Sequence, residues 1–186
     1  NGKFASQPAL YLYNHPSYLD ILFAVGQTPS VLVAADEFRS APFIGWLGRA
    51  LQTVWVRRKC PVSRSRVRET VVRKVKEGTS VFVFPEGQTT GAHAVQEVKP
   101  GLFRTAVEES LPIAFLSIRY SNPAPLYFHT MGPGFFRDWL RHAWHVLCQP
   151  QLGVVLKVSV PMFYSSPEQA QEAFYAFHQR HLRRAA

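Results

Sequence analysis

Two hydrophobic rhythms share this chain. Short continuous apolar runs alternate with longer stretches whose apolar positions recur three and four residues apart. The runs predict strands at residues 10–14, 30–35, 52–56, 80–84, 113–118 and 126–129, and a strand pair or one long strand over 152–160. The helical rhythm predicts helices at 17–26, 42–51, 62–77, 101–110 and 135–147, with a last helix opening at Pro167. The clearest is 62–77, where Val67, Val71, Val72 and Val75 form one stripe and Gly78 ends the helix. Phe136, Trp139, Leu140, Ala143, Trp144 and Leu147 recur at helical spacing, as do Ala170, Phe174, Phe177 and Leu182. Strands alternate with helices nearly throughout, which predicts an α/β domain with a central, largely parallel sheet flanked by helices on both faces. No repeat or linker interrupts the pattern, so residues 1–186 read as a single domain. The opening Asn1-Gly2-Lys3 lacks an initiator methionine and falls just before a strand, so a domain cut from a longer chain is expected.

In such a sheet, ligands gather beyond the carboxyl ends of the strands. His15, Arg57 and Glu86 each sit just past a predicted strand, where they would line one crevice. The run Asn14-His15-Pro16-Ser17-Tyr18-Leu19-Asp20 sets an imidazole at a strand exit and a carboxylate one turn into the next helix. The carboxylate would accept from one ring nitrogen and leave the other as a base. A structural histidine is the competing reading, and Ser17 before a helix is most simply a cap. No serine or cysteine is placed as a nucleophile, so the attacking group would be the substrate's own hydroxyl. Phe84-Pro85-Glu86-Gly87-Gln88-Thr89-Thr90 is either a turn with a solvent-facing glutamate or a binding loop whose Glu86 holds a substrate hydroxyl or an arginine. Lys99-Pro100-Gly101 opens a helix whose start would either orient anions or be a plain helix entry. Arg57 and Arg58 follow a strand, where they would grip a phosphate or form no more than its basic end.

Composition narrows the partners. The chain carries 21 Lys and Arg against 12 Asp and Glu, a formal net charge of +9. Nucleic acid, an anionic membrane surface and a phosphorylated small substrate all suit that balance. Nucleic acid is disfavoured, since no exposed aromatics interleave with the basic clusters and no signature of such a fold appears. Cys60 and Cys148 lie far apart and match no metal spacing, so no metal site is expected. No apolar run reaches the roughly 18 residues of a membrane span, and no signal peptide is present. The apolar residues Phe38, Phe43, Ile44, Trp46 and Leu47 exceed what a short helix needs, and would be core, lie near lipid, or line an acyl slot. Trp46, Trp55, Trp139 and Trp144 are candidate interface anchors, with core packing an equal or better reading for the last two, given their helical spacing.

These motifs together resemble the glycerolipid acyltransferases, the lysophosphatidic acid acyltransferase-like family. His15 through Asp20 is similar to the H-x4-D motif, and Ala35-Asp36-Glu37-Phe38 through Arg57 to the second block. Phe84 to Thr90 is similar to the third block, normally F-P-E-G-T-R-S, with Lys99 and Gly101 following it. Leu111-Pro112-Ile113-Ala114 is similar to the fourth. The resemblance covers about residues 10–120. It implies transfer of an acyl group from an acyl thioester of coenzyme A or acyl carrier protein to the free hydroxyl of a lysophospholipid or glycerol-phosphate-like acceptor, with no other cofactor. His15 would be the general base and Asp20 its orienter. Arg57, the Glu86-Gly87 loop and Lys99 would bind the acceptor's phosphate end, and Pro112 would shape the wall near the donor. The enzyme would work membrane-associated, at the cytoplasmic face. Two positions depart from the pattern. Gln88-Thr89-Thr90 lacks the usual arginine, and Asp36 stands where many relatives carry lysine. Both leave open an amino-acid-containing or other lysolipid as acceptor. A non-catalytic lipid-binding module and a thioester hydrolase remain as alternatives.

Overall fold

The structure, a computed structural model, describes residues 7–25, 30–41, 44–127 and 134–182. Six strands form one sheet: β1 (Leu10–Tyr13), β2 (Ser30–Ala35), β3 (Val54–Val56), β4 (Ser80–Val83), β5 (Ile113–Tyr120) and β6 (Val154–Val158). Their order across the sheet is β3-β2-β4-β1-β5-β6. The first five run parallel and β6 pairs antiparallel with β5. Helices α1 (Asp20–Val25), α2 (Ile44–Ala50), α3 (Pro61–Lys76), α4 (Gly101–Glu108), α5 (Phe135–Leu147) and α6 (Pro167–Leu182) intervene between strands or close the chain. A parallel pair requires a crossover, and these helices provide it.

Strand alternation assigns the two faces. Leu10 and Leu12 of β1, Val81 and Val83 of β4, and Ile113 and Phe115 of β5 face the first layer, where Val67, Val71 and Val75 of α3, Phe103 of α4 and Phe174 of α6 close the core. Tyr11, Tyr13, Leu32, Phe82, Ala114 and Leu116 face the other way and meet Ala24 of α1. β1 is therefore buried on both sides, which is why Leu-Tyr-Leu-Tyr reads as a continuous apolar run. The first layer is thick with apolar helix residues. On the second, α5 buries none of its residues.

The predicted elements shift at their ends. The first helix starts at Asp20, because residues 16–19 form turns, and the strand expected at 52–56 is confined to Val54–Val56. Residues 152–160 hold one strand, Val154–Val158, and no pair. Leu126 and Tyr127 are irregular, and the rest of the strand expected at 126–129 lies outside the described residues. So do Gly26, Pro42 and Phe43, which the first two predicted helices included. Gly48 of α2 is there for close approach: a Cβ on it would stand 2.5 Å from the Trp55 ring.

Candidate active site

β1 ends under the sheet's carboxyl edge and delivers Asn14 and His15 there. Asn14 ties the exit down, its side-chain amide donating to the Ile118 carbonyl (2.9 Å) and accepting from the Ile118 N–H (2.8 Å). Pro16 then turns the chain so that Asp20, the first residue of α1, comes back alongside His15. Asp20 Oδ2 lies 2.9 Å from His15 Nδ1 and accepts the Ser17 N–H at 2.9 Å. The second contact is the backward half of a capping box, so the local rule that starts α1 also aims the carboxylate. The Ser17 hydroxyl accepts from the Leu19 N–H at 3.3 Å, as its capping role requires.

Asp20 is fully buried and His15 is 9% exposed. Burial pushes the Asp20 carboxyl up from the usual carboxylate range, while hydrogen bonds from His15, Tyr120 and the Ser17 amide push it back down. The Tyr120 hydroxyl, at the end of β5, donates to Asp20 Oδ1 at 2.5 Å. Sequence reasoning missed Tyr120. It lies 100 positions from Asp20, and only the β1–β5 pairing brings the two together. The His15 ring stacks on Phe84 at 3.8 Å, which fixes the plane of the imidazole. With Nδ1 committed to Asp20, Nε2 is the atom left to serve the cleft that His15 lines.

The loop from Pro85 to Pro100 clamps this dyad from above. Glu86 Oε1 accepts the His15 N–H at 3.1 Å, and Glu86 Oε2 accepts the Gln96 N–H at 3.1 Å. Thr90 N–H donates to the His15 carbonyl at 2.8 Å. Glu86 is 5% exposed, and burial raises its pKa to about 7. Both carboxylate oxygens therefore serve the protein's own backbone. Glu86 straps the backbone at His15 to that at Gln96. Thr90, in the stretch that departs from the usual motif, is part of the same strap.

Two clefts open beside the dyad. The first, about 230 Å³, is walled by His15, Phe84, Gly87 and the exit of β2, with Arg58, Arg64, Arg68 and Lys99 around it. Gly87 has φ +75°, and a Cβ there would lie 3.1 Å from Lys99 Cε, so the glycine lets the lysine stem pass. Arg57 does not line this cleft; its guanidinium turns to Asp36 at 3.2 Å. Arg58 lines it, as do Arg64 and Arg68 one turn apart on α3. Pro112 lies at the opposite edge of the sheet. Its carbonyl accepts the Leu10 N–H at the start of β1, because parallel strands begin together. The second cleft, about 380 Å³, is apolar, lined by residues including Leu19, Leu22, Leu47, Leu51, Trp55 and Trp139. Ile21, Leu32 and Ala34 belong to both clefts. Among the described residues no group of acidic, histidine or cysteine side chains could hold a metal ion.

Comparison with known proteins agrees with this geometry. The chain is 32% identical over 179 residues to human lysophospholipid acyltransferase LPCAT4, covering 92% of this chain and 32% of that protein. It is 28% identical over 120 residues to the lyso-ornithine lipid O-acyltransferase of Pseudomonas aeruginosa, covering 64% of this chain and 46% of that one. The chain thus spans a third to a half of these curated relatives. The crystal structure of the 1-acyl-sn-glycerophosphate acyltransferase PlsC from Thermotoga maritima superposes with a TM-score of 0.66 at 21% identity, over 100% of this chain and 72% of that one, which establishes the shared fold. The family model named Acyltransferase matches residues 3–119, the stretch that supplies β1 through most of β5 together with His15, Asp20 and the Glu86 strap, and the chain belongs to that family.

Proposed function

We propose that this domain transfers an acyl group from an acyl thioester, of coenzyme A or acyl carrier protein, to the free hydroxyl of a lysophospholipid. The observation that carries the reading is the buried His15–Asp20 pair, with Nδ1 taken by Asp20 and His15 lining a cleft rimmed by Arg58, Arg64, Arg68 and Lys99. His15 Nε2 takes the proton from the acceptor hydroxyl as its oxygen attacks the thioester carbonyl. The tetrahedral intermediate collapses, the carbon–sulfur bond breaks, and the imidazolium returns the proton to the leaving thiolate. Asp20 holds the ring orientation and balances its positive charge during the step. The arginines bind the acceptor phosphate, and bidentate contacts suit it. The apolar second cleft, which shares Ile21, Leu32 and Ala34 with the first, suits an acyl chain.

Asp36 bears on the acceptor headgroup. An unpaired acid at the cleft would favour a cationic, amino-acid-derived lysolipid, such as the one named for the Pseudomonas relative. Asp36 is instead neutralised by Arg57 at 3.2 Å and Arg39 at 3.9 Å. That favours the phosphate-bearing acceptor. A bilayer-resident acceptor implies work at a membrane surface, with an anionic, cytoplasmic face suiting the basic chain. No helix among the described residues is long and apolar enough to cross a membrane. The test is thiol release from palmitoyl-coenzyme A with and without a panel of lysolipids. Acceptor-dependent release supports transfer; acceptor-independent release identifies a thioesterase; no release from palmitoyl-coenzyme A or from palmitoyl-acyl carrier protein, tested alongside, refutes catalysis.

A further inference from the structure

Helix α5 stands out because its most apolar side faces away from the protein. Phe136, Leu140, Trp144 and Leu147 are 53%, 47%, 70% and 78% exposed. Spaced at i, i+4, i+8 and i+11, they fall on one stripe of a helix. The sequence left Trp144 between interface anchor and core, and the structure places it in the open. The helix is nonetheless anchored. Tyr18 and His142 share a hydrogen bond at 3.1 Å, His142 Nε2 reaches the Leu126 carbonyl at 3.1 Å, and Trp139, Ala143 and Val146 wall the apolar cleft.

Two further observations say what covers the stripe. Arg137 and Arg141 follow Phe136 and Leu140 by one position each, so they lie together along one border of the stripe, both exposed. Arg141 has no acidic partner among the described residues, and Arg137 meets only the exposed Asp138 at 3.3 Å. A basic border beside an apolar stripe with tryptophan is the composition of a helix lying in a bilayer interface, where arginine stems run along the acyl region and their heads reach the phosphates. The stripe is also continuous with the apolar cleft. Leu147 and Leu22 line that cleft and are themselves 78% and 50% exposed, so its mouth opens on the same face. Trp46 of α2, 61% exposed, follows directly on Gly45 and precedes Leu47 of the cleft wall.

We propose that α5 is the element that seats this domain on a bilayer bearing anionic lipids, with Phe136, Leu140, Trp144 and Leu147 immersed and Arg137 and Arg141 on the headgroups. An acyl chain then passes from the bilayer into the cleft between Leu22 and Leu147 without crossing water. This rests on the acyltransfer reading for its purpose, but its test does not. The protein is prepared as His15→Ala, so that turnover plays no part, and sedimented with vesicles of phosphatidylcholine alone or mixed with phosphatidylserine. The expected result is binding to the mixed vesicles that falls at least about tenfold in a Leu140→Glu, Trp144→Glu double variant. Arg141→Gln should lower the preference for phosphatidylserine while keeping some binding to both. Unchanged melting temperature confirms that the variants fold. Vesicle binding indifferent to the double substitution, or no binding to either vesicle, overturns the proposal. A dimer seen by light scattering that the double variant dissociates also overturns it, by assigning the stripe to a second copy.

Discussion

Tyr120→Phe removes one oxygen atom and tests how the dyad is held. The hydroxyl donates to Asp20 Oδ1 at 2.5 Å from a residue 1% exposed, so water cannot readily replace it. A hydrogen bond to a charged group contributes about 1.5–3 kcal/mol, and its loss leaves a buried carboxylate short of a donor. At 1.36 kcal/mol per decade, full expression in the transition state lowers kcat about 10- to 100-fold. KM for the acceptor should change little, because Tyr120 lines neither cleft. The assay is thiol release at saturating acceptor, with the acceptor KM measured in parallel and thermal unfolding alongside. A variant with wild-type kcat would refute the claim that Tyr120 positions the dyad. A kcat lowered only in step with a lowered melting temperature would reduce it to a packing role.

Other consequences are as direct. Arg68→Ala, and more so Arg64→Ala with Arg68→Ala, should raise the acceptor KM by about tenfold or more while leaving kcat nearly unchanged, as expected for removal of uniform binding; equal KM values in steady-state kinetics would remove the arginines from the phosphate site. Glu86 has a folded pKa of about 7, raised by burial above the ordinary 4.5, so its stability contribution is full below the ordinary value and is lost as pH rises through about 7. Wild type should therefore lose stability relative to Glu86→Gln over that window, by up to about 3 kcal/mol at 1.36 kcal/mol per unit; denaturant melts with a pH-independent difference would contradict this. Gly48→Ala drives a Cβ to 2.5 Å from the Trp55 ring, and overpacking of this kind costs about 1–3 kcal/mol, visible as a lower Tm.

The parts of this molecule legible in the sequence are those fixed by neighbours along the chain. Val67, Val71 and Val75 form the α3 stripe that packs on the sheet, and the buried run of β1 delivers His15 to the edge where Asp20 meets it five residues later. What was not legible depends on strand pairing and on side-chain direction. Tyr120 reaches Asp20 only through the register of β5 on β1. Glu86 sits at the expected strand exit, yet turns its carboxylate inward onto two backbone amides, a choice no local pattern encodes. Arg57 and Arg58 are adjacent in sequence, but the ion pair with Asp36 takes the first and leaves the second for the cleft. Pro112 was carried over from a motif, and the parallel register places it at the far edge. The α5 periodicity correctly predicted a helix, but periodicity alone left Trp139 and Trp144 open between interface anchor and core, and the packing of the helix decides which of its apolar residues face outward.

The central claim is that His15 moves an acyl group from a thioester to a lysolipid hydroxyl, and the most direct measurement follows the acyl group itself. Palmitoyl-coenzyme A with a labelled acyl chain is incubated with vesicles each containing one of a panel of lysophospholipids, and the lipids are resolved by mass. The account predicts labelled diacyl product with the wild-type chain and none above background with a folded His15→Ala. Equal labelled product from both forms, or labelled free fatty acid in place of the diacyl lipid, would contradict it.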